Sequence, residues 1–159
     1  LFALQYGSDY TADWIYEQHR LWDESHAKPL AKDIQPHLNE RNPEKRIRVG
    51  YISPDFRKHS CAYFIEPLLN SHDRTQVEIF CYSEVQKSDE MTDRVKELSD
   101  HWYSTLGQSD AAIAEQIRKD RIDILVDLAG HTANNRLLVF AYKPAPIQVN
   151  WLGYPDTTG

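Results

Sequence analysis

Short apolar segments alternate with helical patterns along residues 47–159, and this alternation limits the fold more than any other feature of the sequence. Its clearest member is residues 122–128, a near-continuous apolar run that is typical of a strand buried on both faces. Other strands are predicted at 47–53, 77–83, 101–105 and 147–152, and helices at 61–71, 89–99, 109–119 and 135–142. Because the connections are too long for hairpins, we predict an α/β fold, a Rossmann-like, doubly wound and mostly parallel sheet.

Residues 11–26 have the period of an amphipathic helix. On one predicted face this helix carries an aromatic stripe: Trp14, Ile15, Gln18, Leu21 and Trp22. The stripe predicts that the helix packs against a neighbouring surface.

Residues 27–46 contain three prolines and many charges without a period, so they are expected to form an extended linker. His19, His26 and His37 lie in the polar N-terminal segment and are expected to be solvated. The sequence therefore divides into a helix and linker segment, 1–46, and a Rossmann-like domain, 47–159. Since residue 1 is not Met and the chain ends in a loop after a strand, we expect a piece of a longer protein.

The composition narrows the classes of function. The chain has 159 residues, a net charge of −6 and no run of more than two basic residues, so nucleic acid and anionic membranes are disfavoured as partners. It also lacks the roughly 20 consecutive apolar residues of a membrane helix. The spacing of its two cysteines, Cys61 and Cys81, matches no zinc or redox motif, which favours a reducing compartment, the cytoplasm.

Ligands of open parallel sheets bind beyond the carboxyl ends of the strands, which here selects 55–59, Ser83, 130–136 and 153–158. The chain contains no G-x-G-x-x-G, no P-loop and no G-x-S-x-G motif, so tight nucleotide binding by this chain alone and hydrolase chemistry are disfavoured. No histidine belongs to a paired metal-ligand motif, so no metal site is predicted.

Two of these loops carry candidate chemistry. Asp55 and His59 follow the first strand, four residues apart, and a carboxylate beside an imidazole suits general-base activation of a hydroxyl. The alternative is structural: Asp55 caps the following turn and His59 begins a helix. After the buried strand, Gly130, His131 and Thr132 form a second loop. Arg136 can then meet a phosphate or carboxylate, or simply form a surface salt bridge.

With these loops located, the chain resembles the O-linked N-acetylglucosamine transferase family, including tetratricopeptide-containing bacterial members and SPINDLY-type proteins. The resemblance covers 47–159 and its most specific motif is Pro-Ala-Pro-Ile-Gln-x-x-Trp-Leu-Gly-Tyr-Pro at 144–155. The other matching motifs are Arg-Val-Gly-Tyr-Ile-Ser-Pro-Asp-Phe at 48–56 with His59, Val-Glu-Ile-Phe-Cys-Tyr at 77–82, Ile-Leu-Val-Asp-Leu-Ala-Gly-His-Thr at 124–132, and Asn135-Arg136.

The resemblance implies the first half of a GT-B glycosyltransferase, an enzyme built from two Rossmann-like halves around a cleft. It implies an inverting transfer of a sugar, most often N-acetylglucosamine from UDP-GlcNAc, to Ser or Thr hydroxyls of protein acceptors without a metal or other cofactor. The nucleotide sugar is expected to be held mainly by a second half outside this chain, and helical repeats are expected upstream.

The family's site residues transfer to matching positions. Asp55 and His59 are predicted to be catalytic, matching residues proposed as proton acceptors. The predicted substrate-binding residues are His131, Thr132, Arg136, Leu152, Gly153 and Tyr154. Three positions depart from relatives: Gly7 stands where many bacterial members carry a histidine, and His131 and Asp156 where animal members carry tyrosine and glycine.

Two other functions remain open at this stage. A Rossmann-like module without chemistry can bind a ligand or a protein, and the aromatic helix at 11–26 can be a protein-docking element. The motifs also leave the sugar open, because relatives that use UDP-GlcNAc and GDP-fucose share them.

Overall fold

The computed structural model describes all 159 residues and contains one five-stranded sheet in which every neighbouring pair of strands is parallel. Its strands are β1 (Ile47–Ser53), β2 (Val77–Ser83), β3 (His101–Ser104), β4 (Ile124–Asp127) and β5 (Ile147–Asn150). The order across the sheet is β3-β2-β1-β4-β5, so the direction of winding reverses between β1 and β4. This is the Rossmann arrangement, and it confirms the predicted fold class.

Helices cover both faces of the sheet. They are α1 (Ala12–Trp22), α2 (Ala62–Ser71), α3 (Glu90–Glu97), α4 (Asp110–Lys119) and α5 (Leu137–Ala141). The buried apolar side chains of α2 and α3 form one core cluster with the sheet, and those of α4 and α5 form the other. None of the helices has the length and apolar character needed to cross a membrane.

The N-terminal segment is more helical than predicted. After α1 the chain continues as a π-helical turn at Asp23–Ala27 and a 3-10 helix at Lys28–Asp33. The prediction of an extended linker over 27–46 is therefore wrong for its first part. Pro29 stands in the first turn of the 3-10 helix, where its missing N–H costs no hydrogen bond, so this proline does not end the helical path.

His19 is the anchor of α1, and the prediction that it is solvated is wrong: its exposed fraction is 0%. Its Nδ1 lies 2.8 Å from the Ile15 carbonyl and its Nε2 lies 2.6 Å from the Tyr154 hydroxyl. Because a carbonyl can only accept, Nδ1 donates, and in a neutral imidazole Nε2 accepts from Tyr154. Both ring nitrogens are thus satisfied, which permits complete burial.

The aromatic stripe is rotated relative to its predicted position. Trp14 is exposed and stacks on Tyr10 with a ring-centroid separation of 4.5 Å, while Trp22 packs edge-on against His131 at 4.6 Å. The helix therefore docks on the domain through His19 and Trp22.

Asp123, just before β4, fastens the linker to the amino-terminal edge of the sheet. Its carboxylate accepts hydrogen bonds from Asn39 at 2.8 Å, Lys45 at 2.6 Å and the Arg48 amide at 2.9 Å. Burial alone raises the pKa of Asp123, but these hydrogen bonds and the Lys45 charge outweigh it and hold the pKa below its usual value.

We expect Asp123→Asn to lower the free energy of unfolding at neutral pH by about 1 to 3 kcal/mol, the range for hydrogen bonds to a charged group. The folded-state pKa is depressed, so this contribution is present above the unfolded value of about 3.9 and is lost as pH falls through the folded value. Urea denaturation of both proteins should therefore show a difference that is constant above about pH 5 and shrinks below about pH 4.

Glu97→Gln is the control, because Glu97 is exposed and has no ion pair in the structure. A stability difference for Asp123→Asn that is the same at about pH 2 as at neutral pH would contradict the assignment.

We expect Tyr154→Phe to destabilise the protein by about 1 to 3 kcal/mol, since it leaves a fully buried His19 nitrogen without a partner. Tyr63→Phe removes the hydroxyl of a tyrosine that is 69% exposed and should leave stability unchanged. Thermal melting of the two variants measures the contrast. Equal melting temperatures for Tyr154→Phe and wild type would show that the buried contact does not hold α1 in place.

Candidate active site

The candidate site lies where the loops after β1, β4 and β5 meet at the carboxyl edge of the sheet. β1 and β4 are hydrogen-bonded neighbours, and the strand order reverses between them. Such a reversal leaves a crevice between loops that lead in opposite directions, the usual ligand site of this architecture. Here the crevice is a cleft of about 430 Å³.

The loop after β1 is held by Phe56, which is fully buried and packs near Trp102. This anchor leaves the neighbouring Asp55 at the floor of the cleft, with its amide donating to the Ser53 hydroxyl at 2.9 Å. The side chain of Asp55 is 10% exposed, and its Oδ1 accepts from the Arg57 guanidinium at 2.9 Å. The buried Asp55 carboxylate is thus paired with the exposed guanidinium of Arg57.

His59 lines the same cleft, with a side chain that is 34% exposed. Its Nδ1 is 3.7 Å from Asp55 Oδ2, so the predicted pair is brought together at slightly more than hydrogen-bond length. The Cys61 amide also points to Nδ1, at 3.3 Å. The two side chains are therefore close enough to act together in general acid–base catalysis. Their individual roles stay predictions.

The loop after β4 divides the predicted substrate-binding residues. Thr132 lines the cleft, and its hydroxyl donates to the Ala129 carbonyl at 2.8 Å. His131 instead packs against Trp22 of α1, and its Nε2 donates to the carbonyl of Thr158 in the C-terminal loop at 2.9 Å. Burial is the main cause of the lowered pKa of His131, and the contact with Thr158 opposes it. His131 thus contacts the docking surface of α1 and does not line the cleft.

The loop after β5 brings Leu152 and Gly153 to the cleft wall. Gly153 is required there by close approach, because a Cβ atom would lie 1.8 Å from the Leu128 carbonyl oxygen. Tyr154 follows with its side chain buried against His19, so it supports the wall from behind.

Arg136 is held by internal partners. Its guanidinium donates to Glu84 at 2.9 Å, to Asp110 at 3.0 Å and to the Thr105 carbonyl at 3.2 Å, and its side chain is 17% exposed. It does not line the cleft. The sequence left open whether Arg136 binds a phosphate or carboxylate or forms a salt bridge. In this structure it is paired with two carboxylates of the chain itself, Glu84 and Asp110.

Sequence reasoning missed three contributors to the cleft, Phe2, Ser60 and Cys61. Phe2 belongs to a 3-10 helix at Phe2–Tyr6, and only the folding of the N-terminal segment over the sheet brings it there. Cys61 follows His59 by two residues, and this spacing is only a weak sequence signal that the two residues share a site. One ligand atom from each of Asp55, His59 and Cys61 lies within 4.8 Å of the others, so these three residues can hold a metal ion.

The positions that depart from relatives do not line the cleft. Asp156 accepts from the Gln5 side chain at 2.6 Å, and its pKa is lowered by the Thr157 amide first and by Gln5 second. Gly7 lies outside the cleft lining. A second hollow of about 510 Å³ adjoins the cleft and shares Arg57 and Asn134 with it.

Another hollow, of about 450 Å³, lies at the opposite edge of the sheet between the linker and the end of α4. It is lined by charged surface side chains such as Glu115 and Lys119, and its one histidine, His37, forms no ion pair with a carboxylate. The Asp55–His59 pair therefore favours the carboxyl edge of the sheet as the functional site.

Comparison with known proteins finds glycosyltransferases among the proteins that this chain is similar to. The SPINDLY protein of Arabidopsis thaliana, described as a probable UDP-N-acetylglucosamine–peptide N-acetylglucosaminyltransferase, is 43% identical over the whole of this chain, which spans 18% of that protein. The UDP-N-acetylglucosamine–peptide N-acetylglucosaminyltransferase of Caenorhabditis elegans is 36% identical over 87% of the chain and 12% of that protein. The chain thus spans less than a fifth of the length of these relatives.

A solved structure is also similar. A lysine-to-methionine mutant of the O-GlcNAc transferase of Thermobaculum terrenum superposes with a TM-score of 0.88 and 40% sequence identity, over 96% of this chain and 29% of that one. The sequence profile of glycosyl transferase family 41 matches residues 25–159. With the family profile and these relatives in agreement, the chain belongs to glycosyl transferase family 41.

Proposed function

We propose that this chain is the first half of the catalytic region of a GT-B protein O-glycosyltransferase. The enzyme transfers N-acetylglucosamine from UDP-GlcNAc to Ser or Thr hydroxyls of proteins, with inversion at the anomeric carbon. The observation that carries the proposal is the Asp55–His59 pair in a cleft at the reversal point of a family 41 domain. The names of the similar proteins from Arabidopsis and Caenorhabditis support the donor and the peptide acceptor.

Inversion requires one displacement, in which the acceptor oxygen attacks the anomeric carbon as the nucleotide leaves from the opposite side. The hydroxyl proton must go to a base beside the acceptor, and Asp55 and His59 are the candidates. The Cys61 amide at Nδ1 favours the tautomer with its proton on Nε2, in which His59 donates to a substrate oxygen and Asp55 is the base. If the Asp55–His59 gap closes to a hydrogen bond, the proton moves to Nδ1 and Nε2 becomes the base.

In this proposal most of the binding site for the sugar donor lies outside residues 1–159. The chain has no glycine-rich phosphate loop, and the Arg136 guanidinium is already bonded to Glu84 and Asp110. We therefore propose that a second half-domain holds the nucleotide and that transfer uses no metal or other cofactor. Thr132, Leu152 and Gly153 then line the sugar and acceptor side of the cleft, whereas His131, Arg136 and Tyr154 support that wall indirectly.

The wider setting is part of the same proposal. Helical repeats upstream would present protein acceptors to the cleft, and the cytoplasm is the proposed compartment because Cys61 and Cys81 are both free and buried. The net charge of −6 gives no support to nucleic acid or anionic membranes as partners.

In the longer protein that contains this chain, we expect His59→Ala to lower turnover on a protein acceptor by about 100-fold or more, as for other positioned acid–base groups. His59→Gln keeps a donor without basicity. If Asp55 is the base, His59→Gln should retain much of the activity and Asp55→Asn should be the more damaging change. If His59 is the base, both His59 variants should be severely impaired.

His26→Ala is the matched control, since His26 is an exposed histidine on the N-terminal segment and should give wild-type turnover. Melting curves separate loss of chemistry from loss of folding. Wild-type turnover in folded His59→Ala and Asp55→Asn would reduce the pair to a turn cap and a helix-start residue, and would favour a binding module.

The isolated 159-residue chain should fold but transfer no sugar. Its affinity for UDP should be millimolar or weaker, which corresponds to at most about 4 kcal/mol of binding free energy. Calorimetric titration with UDP measures this. Micromolar binding, or measurable transfer by the purified chain, would show that the donor site lies within residues 1–159.

A further inference from the structure

Three different metal-ligand atoms meet in the cleft: an Asp55 oxygen, a His59 ring nitrogen and the Cys61 sulfur, each within 4.8 Å of the others. Asp55 and Cys61 are buried and His59 is half-buried, and all three line the same cleft. The cluster is therefore a mixed oxygen, nitrogen and sulfur set with a route to solvent. It differs in kind from the exposed acidic groups that are common on protein surfaces.

The local fold brings these residues together. The buried Phe56 fixes one end of the loop, and the Ala62 amide donates to the His59 carbonyl at 3.0 Å, which closes the turn that leads into α2. His59 and Cys61 stand on this closed turn, and Asp55 stands just before the anchor. The ligands are thus held by a short, well-packed stretch of chain.

The two oxygens of Asp55 have different neighbours, which removes the obvious competitor. Arg57 bonds Oδ1, while Oδ2 faces His59 Nδ1 at 3.7 Å. A metal ion at Nδ1 takes the place of the long hydrogen bond from the Cys61 amide, at 3.3 Å. Two ligands of a tetrahedral zinc ion, at about 2.0 to 2.3 Å from the metal, are separated by roughly 3.3 to 3.6 Å. The Asp55–His59 edge is already close to that length, and the Cys61 sulfur, which lies within 4.8 Å of both atoms, reaches it by a side-chain movement of about 1 Å.

We propose that Asp55, His59 and Cys61 form a zinc-binding site whose fourth position faces the cleft. Thiolate and imidazole ligands favour zinc over magnesium, calcium or manganese, and three protein ligands with one open position is a regular zinc arrangement. On binding, the Cys61 thiol loses its proton to solvent and its sulfur bonds the metal. The ion occupies the oxygen and nitrogen assigned to acid–base work, so it is an inhibitor of transfer. That consequence rests on the proposed function, whereas the binding itself does not.

The test uses the 159-residue chain with Co²⁺ as a spectroscopic stand-in for Zn²⁺. Wild type should show a near-ultraviolet sulfur-to-cobalt charge-transfer band that added Zn²⁺ removes and a large excess of Mg²⁺ does not. Cys61→Ser should lose the band and bind Zn²⁺ at least about 10-fold more weakly, since even changes around the ligands cost roughly 10- to 100-fold in affinity. Cys81→Ser is the matched control, because Cys81 is the other cysteine and is buried in the core as part of β2, outside the cleft.

Loss of the band in Cys61→Ser with retention in Cys81→Ser supports the site. Absence of the band in wild type, or its persistence in Cys61→Ser, overturns it. If Cys81→Ser does not fold, calorimetric titration of wild type and Cys61→Ser with Zn²⁺ decides: equal affinities overturn the proposal. No sugar transfer is measured, so this result and the fate of the proposed function are independent.

Discussion

The buried carboxylate of Asp127, at the end of β4, is the contact on which the geometry of the cleft depends. It accepts hydrogen bonds from the Gly130 amide at 2.7 Å, the Ala129 amide at 3.1 Å and the Asn150 side chain at 2.6 Å. Burial raises the pKa of Asp127, and these three donors partly offset the cost of enclosing a charge. One side chain thereby shapes the turn after β4 and ties it to the end of β5.

Close packing of the backbone also fixes the loops after β4 and β5 against each other. Gly153 passes so near the Leu128 carbonyl that no side chain fits, and Gly130 takes a left-handed φ of +56° against the Tyr154 side chain. Tyr154 in turn holds His19 through a buried hydrogen bond. The N-terminal segment therefore helps to form the cleft. His19 of α1 supports the loop after β5 through Tyr154, and Phe2 lines the cleft directly.

Strong local patterns made most of the sheet and its covering helices predictable. The apolar run around β4 is such a local pattern, and the caps of α3 and α4 seen in the structure, Asp89 and Ser109, are local as well. Features set by distant contacts were not predictable. The burial of His19 depends on Tyr154, 135 residues away, and the pairing of Arg136 depends on Glu84 and Asp110. Asp55 and His59 were found because both follow one strand, whereas Cys61 needed the closed turn.

The proposed function requires that the loop after β1 presents the acid–base pair to the acceptor hydroxyl, in a cleft that the loops after β4 and β5 complete. The most direct test is a crystal structure of the longer protein with an acceptor peptide and an unreactive analogue of the nucleotide sugar. We expect the acceptor oxygen within about 2.6 to 3.2 Å of Asp55 or His59, directly or through one water. An acceptor oxygen and anomeric carbon seated away from this cleft, with neither side chain in reach, would contradict it.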